Sequence, residues 1–503
     1  MPAPWIVVGA GSSGAVVARR LTERPDREVL LVEAGPDYLP ADLPSDLADG
    51  TRNSMHAHDW GYRHKPSREA MLSPLPRGRV VGGSSAVNTC IALRGQPEDY
   101  DEWAALGLDE WTFERCLPAF KRLERDLDFS DDFHGTDGPL PVRRHRPEEL
   151  VPFQRAFIDA CAELGLPKCA DSNAPHAVGY GPHAMNKLGG RRISVAEAYL
   201  SREVRARPNL AIRANTLVRR VLFSNRRVTG IELSGPRGVE RLDASRVVLS
   251  AGALNTPGIL LRSGVGPDAD VRRLAVEPVL DAPAVGRRLL DHPGTGIFVL
   301  AKRGVSVDRT APIIQTGLRQ ASGLVENPAD VLIQAISFTM IFQRLPLFAL
   351  VAQVGKPYGH GSIRYESAAP DAKPVIDNRF FEDATDRRVA CGALARCREL
   401  LETRALSSMG TPVLPWRMLL KNDALLDRAV RVLCDSGYHP CGTVPMGRSP
   451  GVDAAVDGRG RVFGLDGLFV ADASLFPTIP SSNIHLPTLM TAERMAEWLR
   501  DEI

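Results

Sequence analysis

Trp5-Ile-Val-Val-Gly-Ala-Gly-Ser-Ser-Gly14, then Ala15-Val-Val-Ala-Arg-Arg-Leu-Thr-Glu23 and, after a turn, Val29-Leu-Leu-Val-Glu33, decide the fold of this 503-residue chain. Residues 5–8 form a β-rich apolar run ending in glycine, and Ala15, Ala18 and Leu21 then recur at helical spacing. Strand, tight turn, helix and strand in that order predict a βαβ unit with two parallel strands. In GAGSSG, Gly9 permits the turn, Gly11 lets backbone approach a pyrophosphate, and Gly14 lets helix pack on strand. Ser12 and Ser13 open the helix, whose free N–H groups and positive dipole end suit an anion. Glu33, 19 residues past Gly14 and followed by Ala34, stands where a carboxylate accepts both ribose hydroxyls and repels a 2′-phosphate. The unit predicts a dinucleotide site without distinguishing FAD from NAD.

The length exceeds what one compact core usually holds, so two interlocked domains are expected. A chain that is 44% hydrophobic and 24% charged is globular, which excludes wholesale disorder. Sixty-two Lys plus Arg against 60 Asp plus Glu leave a formal charge of +2, and no basic run carries interleaved aromatics, so nucleic acid is excluded as a partner. The start, MPAPWIVVGAG, lacks a cationic segment followed by a long apolar one and a cleavage site, and the chain is expected to be cytoplasmic. No window reaches the roughly 18 apolar residues of a membrane span. The nearest, SFTMIFQRLPLFALVAQV, is broken by Gln343, Arg344 and Pro346, and is read as pocket lining or core in preference to a membrane-docking surface. The eight cysteines contain no CxxC pair, which argues against zinc ribbons and redox dithiols.

From Gly35 to Ser73 the chain is rich in Pro, Asp, His and Gly, as in a loop or lid over a site. Residues 207–252 read as strands and turns returning to the first sheet, and 296–380 carry the alternating runs of an antiparallel sheet. The end, from Leu486 to Arg500, places Leu489, Ala492, Met495, Ala496 and Leu499 on one helical face, a docked C-terminal helix.

Three further blocks set the fingerprint in a wider pattern: Gly78-Arg-Val-Val-Gly-Gly-Ser-Ser-Ala-Val-Asn88, YHPCGTVPMG at 438–447, and LFVADASLFPTIPSSNIHLPTLMTAE at 468–493. VVLSAGALNTPGILLRSGVG at 247–266 and LDHPG at 290–294 lie between them. With these, the chain from Ile6 to Trp498 resembles the glucose–methanol–choline oxidoreductases, the flavin-dependent alcohol oxidases and dehydrogenases. The resemblance implies an α/β two-domain fold. A Rossmann-like FAD-binding domain would take residues 1–150, 205–295 and 436–503, and a substrate domain on an antiparallel β-sheet packed with helices would take 151–204 and 296–435. It also implies oxidation of an alcohol to an aldehyde or ketone by hydride transfer to flavin N5. A cyanohydrin-cleaving lyase that keeps FAD without net redox is the alternative.

Oxidising an alcohol requires removal of the hydroxyl proton as hydride leaves the carbon, and imidazole has the pKa for that transfer near neutrality. By resemblance His439 is this base, and His485 its partner on the substrate oxygen, with Asn483 the alternative partner if the register slips. A helix starting near Pro487-Thr488 would aim its positive end at the flavin. Asp472 with Ala473, Ala251-Gly252, and Arg79, Val81, Gly82, Ser84 and Asn88 would line the cofactor, and the backbone of Val218 would face the adenine. Some members tether FAD through a histidine one residue before the Asn of the GGSSxxN block. Val87 stands there and forms no such bond, so FAD is expected to be held non-covalently. His56, His58 and His64 have HxH spacing but no acidic or Cys cluster to complete a metal site, and none is assigned. Partners are then a small alcohol, with a neutral primary alcohol preferred, and dioxygen or a quinone or protein acceptor for the electrons. The specificity elements fall in 296–435, where the sequence carries no readable code.

Overall fold

The computed structural model describes residues 3–341 and 345–502. β1 (Trp5–Val8), α1 (Ser12–Leu21) and β2 (Val29–Val32) form the expected βαβ unit. β3 (Leu210–Arg213) and β4 (Arg246–Leu249) join it in a five-stranded parallel sheet ordered β3-β2-β1-β4, with Leu468–Val470 on the far side of β4. Ile6, Val7, Leu31, Val247, Val248 and Leu249 have no solvent exposure, as strands covered on both faces require. The order reverses at β1, and in open parallel sheets the crevice beyond the carboxyl ends at such a reversal binds ligands. Gly9–Gly11, Glu33, Ser250–Gly252 and Asp472 all follow the carboxyl ends of these strands.

The prediction that 207–252 returns wholly to this sheet holds for β3 and β4 only. Leu217–Ser224 pairs antiparallel with Arg227–Gly235, which pairs in turn with Gly238–Asp243, in a separate three-stranded sheet. Their burial alternates, so one face meets water, whereas an interior parallel strand needs two apolar faces. Asn225 and Arg226, both at positive φ, supply the tight turn between them.

β5 (Pro293–Ala301), β6 (Thr316–Gln320), β7 (Val331–Ile341) and β8 (Leu345–Val354) build the antiparallel sheet. Its order runs from Gly410–Pro412 through β5, β8, β7 and β6 to Gly179–Pro182, and Cys434–Ser436 also pairs with β5. Ile297, Val299, Ile333, Ala335, Phe348, Leu350 and Ala352 share one core cluster with residues of the helices Pro152–Glu163 and Ala384–Glu402. The SFTMIFQRLPLFALVAQV stretch forms the end of β7 and all of β8; Gln343 and Arg344, two of its expected breaks, lie outside the described residues, as does the side chain of the third, Pro346. Among the described residues no helix is long and apolar enough to cross a membrane.

α2 (His485–Asp501) packs along α1 and buries Leu489, Ala492, Met495, Ala496 and Leu499. Glu493 lies under this contact, where Arg20, Arg122 and the Tyr199 hydroxyl satisfy its carboxylate. A buried carboxylate persists only when paired in this way.

Candidate active site

One cavity of about 1120 Å³ runs from the carboxyl ends of the parallel sheet to the face of the antiparallel sheet. It exceeds the roughly 300–1,000 Å³ of ordinary small-molecule pockets, as a site for a dinucleotide together with a substrate must.

At the dinucleotide end, Gly9 has φ +96, and a β-carbon on Gly14 would lie 1.8 Å from the Gly9 carbonyl oxygen, so both must be glycine. The 78–88 block docks on this loop. The Gly82 N–H donates to Ala10 O (2.8 Å), and a β-carbon on Gly83 would lie 2.6 Å from Gly11 Cα. α1 starts without a side-chain cap, and the buried Ser13 hydroxyl, on the cavity wall, has no partner. Free N–H groups beside an unpaired hydroxyl are what a pyrophosphate would satisfy. Glu33 accepts from the Ala10 and Gly35 N–H groups at 2.9 Å each, and burial pushes its pKa up to about 7 against those bonds and the charge of Arg79. Each carboxylate oxygen retains a lone pair for a ribose hydroxyl. Asp472 accepts from Gly252 N (2.8 Å), Thr256 Oγ1 (2.6 Å) and Ser474 N (2.8 Å), and so holds the turn at Gly252, where φ is +82. These residues fit FAD.

At the other end the HPCGT segment meets LDHPG. Asp291 accepts from the His439 N–H at 2.9 Å and from the Ser436 hydroxyl, which clamps the two segments together. His292 Nδ1 lies 2.9 Å from His439 Nδ1, and His292 Nε2 lies 3.0 Å from each of two carbonyl oxygens, of Gly355 and Pro480. Carbonyls only accept, so His292 Nε2 carries a hydrogen. Burial holds the His292 pKa down to about 4, so the ring is neutral and its Nδ1 is an acceptor. His439 must therefore donate from Nδ1, which leaves a lone pair on its Nε2. The Asn483 side-chain nitrogen lies 3.0 Å from that atom and donates to it. Burial, with His292 and Arg77, also holds the His439 pKa well below the usual histidine range, so its ring is neutral at neutral pH.

His485 opens α2 and lines the cavity, and its Nε2 is buried with no partner. Burial lowers its pKa to about 4. The structure thus puts Asn483, the alternative residue, against His439, and leaves His485 facing the same space unpaired.

Gly9, Gly11, Ser12, Ser13, Glu33, Ala34, Ser84, Asn88, Val218, Ala251, Gly252, Asp472, Ala473, His439, His485 and Thr488 all border the cavity. Gly14, Arg79, Val81, Gly82 and Pro487 do not. Gly14, Val81 and Gly82 brace the loop through close packing or backbone, Arg79 lies over the Trp60 ring at 4.9 Å, and Pro487 sits in the first turn of α2. Val87 borders the cavity, while His56, His58 and His64 do not. His58 and His64 are engaged by Tyr38 and Asp46 and by Asn378 and Asp435. The Glu124, Asp126 and His134 cluster lies apart, with Arg94 and Arg144 on its carboxylates. His292 and Asp291 are the functional residues that the sequence reading passed over, although LDHPG was singled out as a segment.

The description "GMC oxidoreductase" fits residues 4–294 and again 357–492. Over 98% of both chains the protein is 34% identical to 5-(hydroxymethyl)furfural oxidase of Methylovorus sp.. It is 35% identical to oxygen-dependent choline dehydrogenase of Burkholderia thailandensis, over 99% of this chain and 93% of that one. The crystal structure of a pyridoxine 4-oxidase from "Mesorbium loti" superposes with a TM-score of 0.92 at 30% identity over the whole of both chains. The chain belongs to the GMC oxidoreductases, the FAD-dependent enzymes that oxidise alcohols.

Proposed function

We propose that this enzyme oxidises a neutral primary alcohol to the aldehyde, with His439 Nε2 as the base and dioxygen as the electron acceptor. The observation that carries the reading is the His292–His439 contact, because it puts the only lone pair of the His439 ring on the cavity side. FAD, held by the fingerprint loop, Glu33, the 84–88 segment and the turn at Gly252, supplies when bound the acceptor for the hydride that leaves the alcohol carbon. An alcohol hydroxyl arriving where Asn483 now donates gives its proton to Nε2. His439 Nδ1–H stays on His292 throughout, so the imidazolium has a hydrogen-bond acceptor the moment it forms. His485 Nε2, unpaired and out of solvent, donates to the same substrate oxygen as charge develops on it. α2 begins at the cavity wall with His485 and without a side-chain cap, and its positive dipole end favours negative charge there.

Valine at position 87 supports a non-covalent FAD. The furfural and pyridoxine oxidases among the relatives support dioxygen and a neutral substrate, and no relative here supports a lyase. Eight free cysteines support a reducing, cytoplasmic setting. The two sheets support the division into an FAD-binding part of residues 1–150, 205–295 and 436–503 and a substrate part of 151–204 and 296–435.

The test is anaerobic mixing of the purified protein with a panel of alcohols, followed by air. Bleaching of the flavin identifies the substrate class, and rapid return of colour in air identifies dioxygen. A yellow protein that no alcohol bleaches counts against the reading, and persistent bleaching in air moves the acceptor to a quinone or protein.

A further inference from the structure

The antiparallel sheet turns one face into the cavity, and register decides which side chains it shows there. Gly296 pairs with Val351, which pairs with Gln334, and Gly294 pairs with Gln353, so these five residues share a face. Gly294, Gly296, Phe298, Gln334, Ile336, Val351 and Gln353 all border the cavity, while the alternate residues lie in the core behind. Two glycines on β5 keep the space in front of this wall open.

The wall is apolar apart from its two amides. Gln334 is only 6% exposed, and its Nε2 is buried with no hydrogen-bond partner. Gln353 is 8% exposed, and its Nε2 lies over Gly437, two residues before His439; a β-carbon on Gly437 would come within 2.9 Å of it. The amides are diagonal cross-strand neighbours, roughly 7–8 Å apart at the backbone. One therefore stands beside His292 and Gly437, and the other lies on the next strand further along the same wall.

The charges around the cavity are already used. Glu33 and Asp472 belong to the dinucleotide end, Asp435 is held by His64 and Ser73, Arg77 donates to Tyr438 O and Arg262 to Arg219 O. Among the described residues no unpaired carboxylate faces the wall to receive a cationic substrate.

We propose that Gln334 and Gln353 form a recognition strip that selects neutral alcohols bearing a second oxygen acceptor, such as a carbonyl, at the end of the molecule away from the hydroxymethyl group. The proposal rests on the cavity being the alcohol-oxidising site. The Gln334 amide stays unpaired with a purely hydrocarbon substrate, and a site built to donate rejects the analogue that cannot accept.

The probes are 4-(hydroxymethyl)benzaldehyde and 4-methylbenzyl alcohol, compared by kcat/KM on the FAD-loaded enzyme and on Gln334→Met and Gln353→Met. Binding of terephthalaldehyde, the product of the first probe, is followed separately by the change it causes in the flavin spectrum. The wild type should prefer the carbonyl-bearing alcohol at least tenfold. Gln334→Met should abolish that preference and weaken terephthalaldehyde at least tenfold. Equal handling of both alcohols by the wild type, or equal terephthalaldehyde affinity in wild type and Gln334→Met, overturns the strip. If neither alcohol reduces the flavin, the oxidation reading fails, and the product-binding comparison still decides the strip. Should Gln334→Met lose FAD or fold poorly, Gln353→Met carries the same comparison from the other amide.

Discussion

Replacing His292 by leucine removes the acceptor that fixes the His439 tautomer without touching substrate or flavin. The His439 Nδ1–H would then be buried without a partner, at a cost of ~1–3 kcal/mol. The ring can escape that cost only by moving its hydrogen to Nε2, where it meets the Asn483 amide hydrogen and no longer offers a lone pair to the cavity. Either way the loss falls on the proton-transfer step, and at ~1.4 kcal/mol per factor of ten it predicts flavin reduction slowed roughly 5- to 150-fold. His292→Gln keeps an acceptor within reach and should recover most of that rate. The assay is rapid anaerobic mixing with a reducing alcohol, with FAD content and melting temperature as controls for packing. Nitrogen NMR on histidine-labelled protein reads the tautomer directly, and His439 should carry its hydrogen on Nδ1. Wild-type reduction rates in His292→Leu, or an Nε2–H tautomer in the native enzyme, would refute the reasoning.

His439→Ala should retain FAD yet slow its reduction by roughly 100-fold or more, the scale of a lost general base; unchanged turnover would remove His439 from that role. Glu33→Ala leaves the Ala10 and Gly35 N–H groups without their acceptor and should lower FAD retention after dialysis, with normal rates in the loaded fraction. Gly437→Ala puts a β-carbon 2.9 Å from Gln353 Nε2 and 3.1 Å from His292 Cβ, and should lower kcat/KM at least ~10-fold, the scale of a small misplacement in an active site, at unchanged FAD content. The apoprotein should lose stability as pH falls. Burial holds His183 at about 3 and His292 and His485 at about 4, below the 6.5 of a free histidine, so the unfolded chain gains protons that the fold refuses. Their contribution is complete above pH 6.5 and is lost on the way down, at ~1.4 kcal/mol per unmatched proton per pH unit. Glu33, raised to about 7, and Asp386, to about 6, act in the opposite sense and offset part of it. The melting temperature should drop between pH 6.5 and 5, and a rise over that range would contradict neutral buried histidines.

The parallel sheet and its cofactor edge were legible because their determinants are local. Gly14 is demanded by the Gly9 carbonyl oxygen five residues before it and Gly9 by its own positive φ, and GxGxxG between two apolar runs announces both. The docked helix was legible for the same reason, since the period of Leu489, Ala492, Met495 and Leu499 is itself the packing face. The strands at 217–235 were misplaced because an apolar run of this length says strand but not which sheet. Their alternation, visible in VTGIEL, carried the signal that one face meets water.

The catalytic tautomer was not legible, and the reason is sequence distance. His292 acts on His439 across 147 residues, and its own ring is fixed by carbonyls of Gly355 and Pro480 from two further segments. No spacing rule joins four segments that meet only when the antiparallel sheet closes on the parallel one. The Asn483–His485 choice was unresolved for a related reason. Asn483 lies in the turn before α2 and His485 opens the helix, and only the folded turn shows that Asn483 meets the lone pair while His485 keeps a free nitrogen at the same cavity. The specificity wall hides differently. Each of GTGIF, LIQAI and LVAQV shows period-two alternation, but the face shown to the cavity is set by the pairing register, and a slip of one residue would bury both glutamines in the core. What the chain encodes locally is the scaffold common to every such cofactor site, whereas the contacts that choose a proton's position and a substrate's second oxygen exist only between segments far apart in sequence.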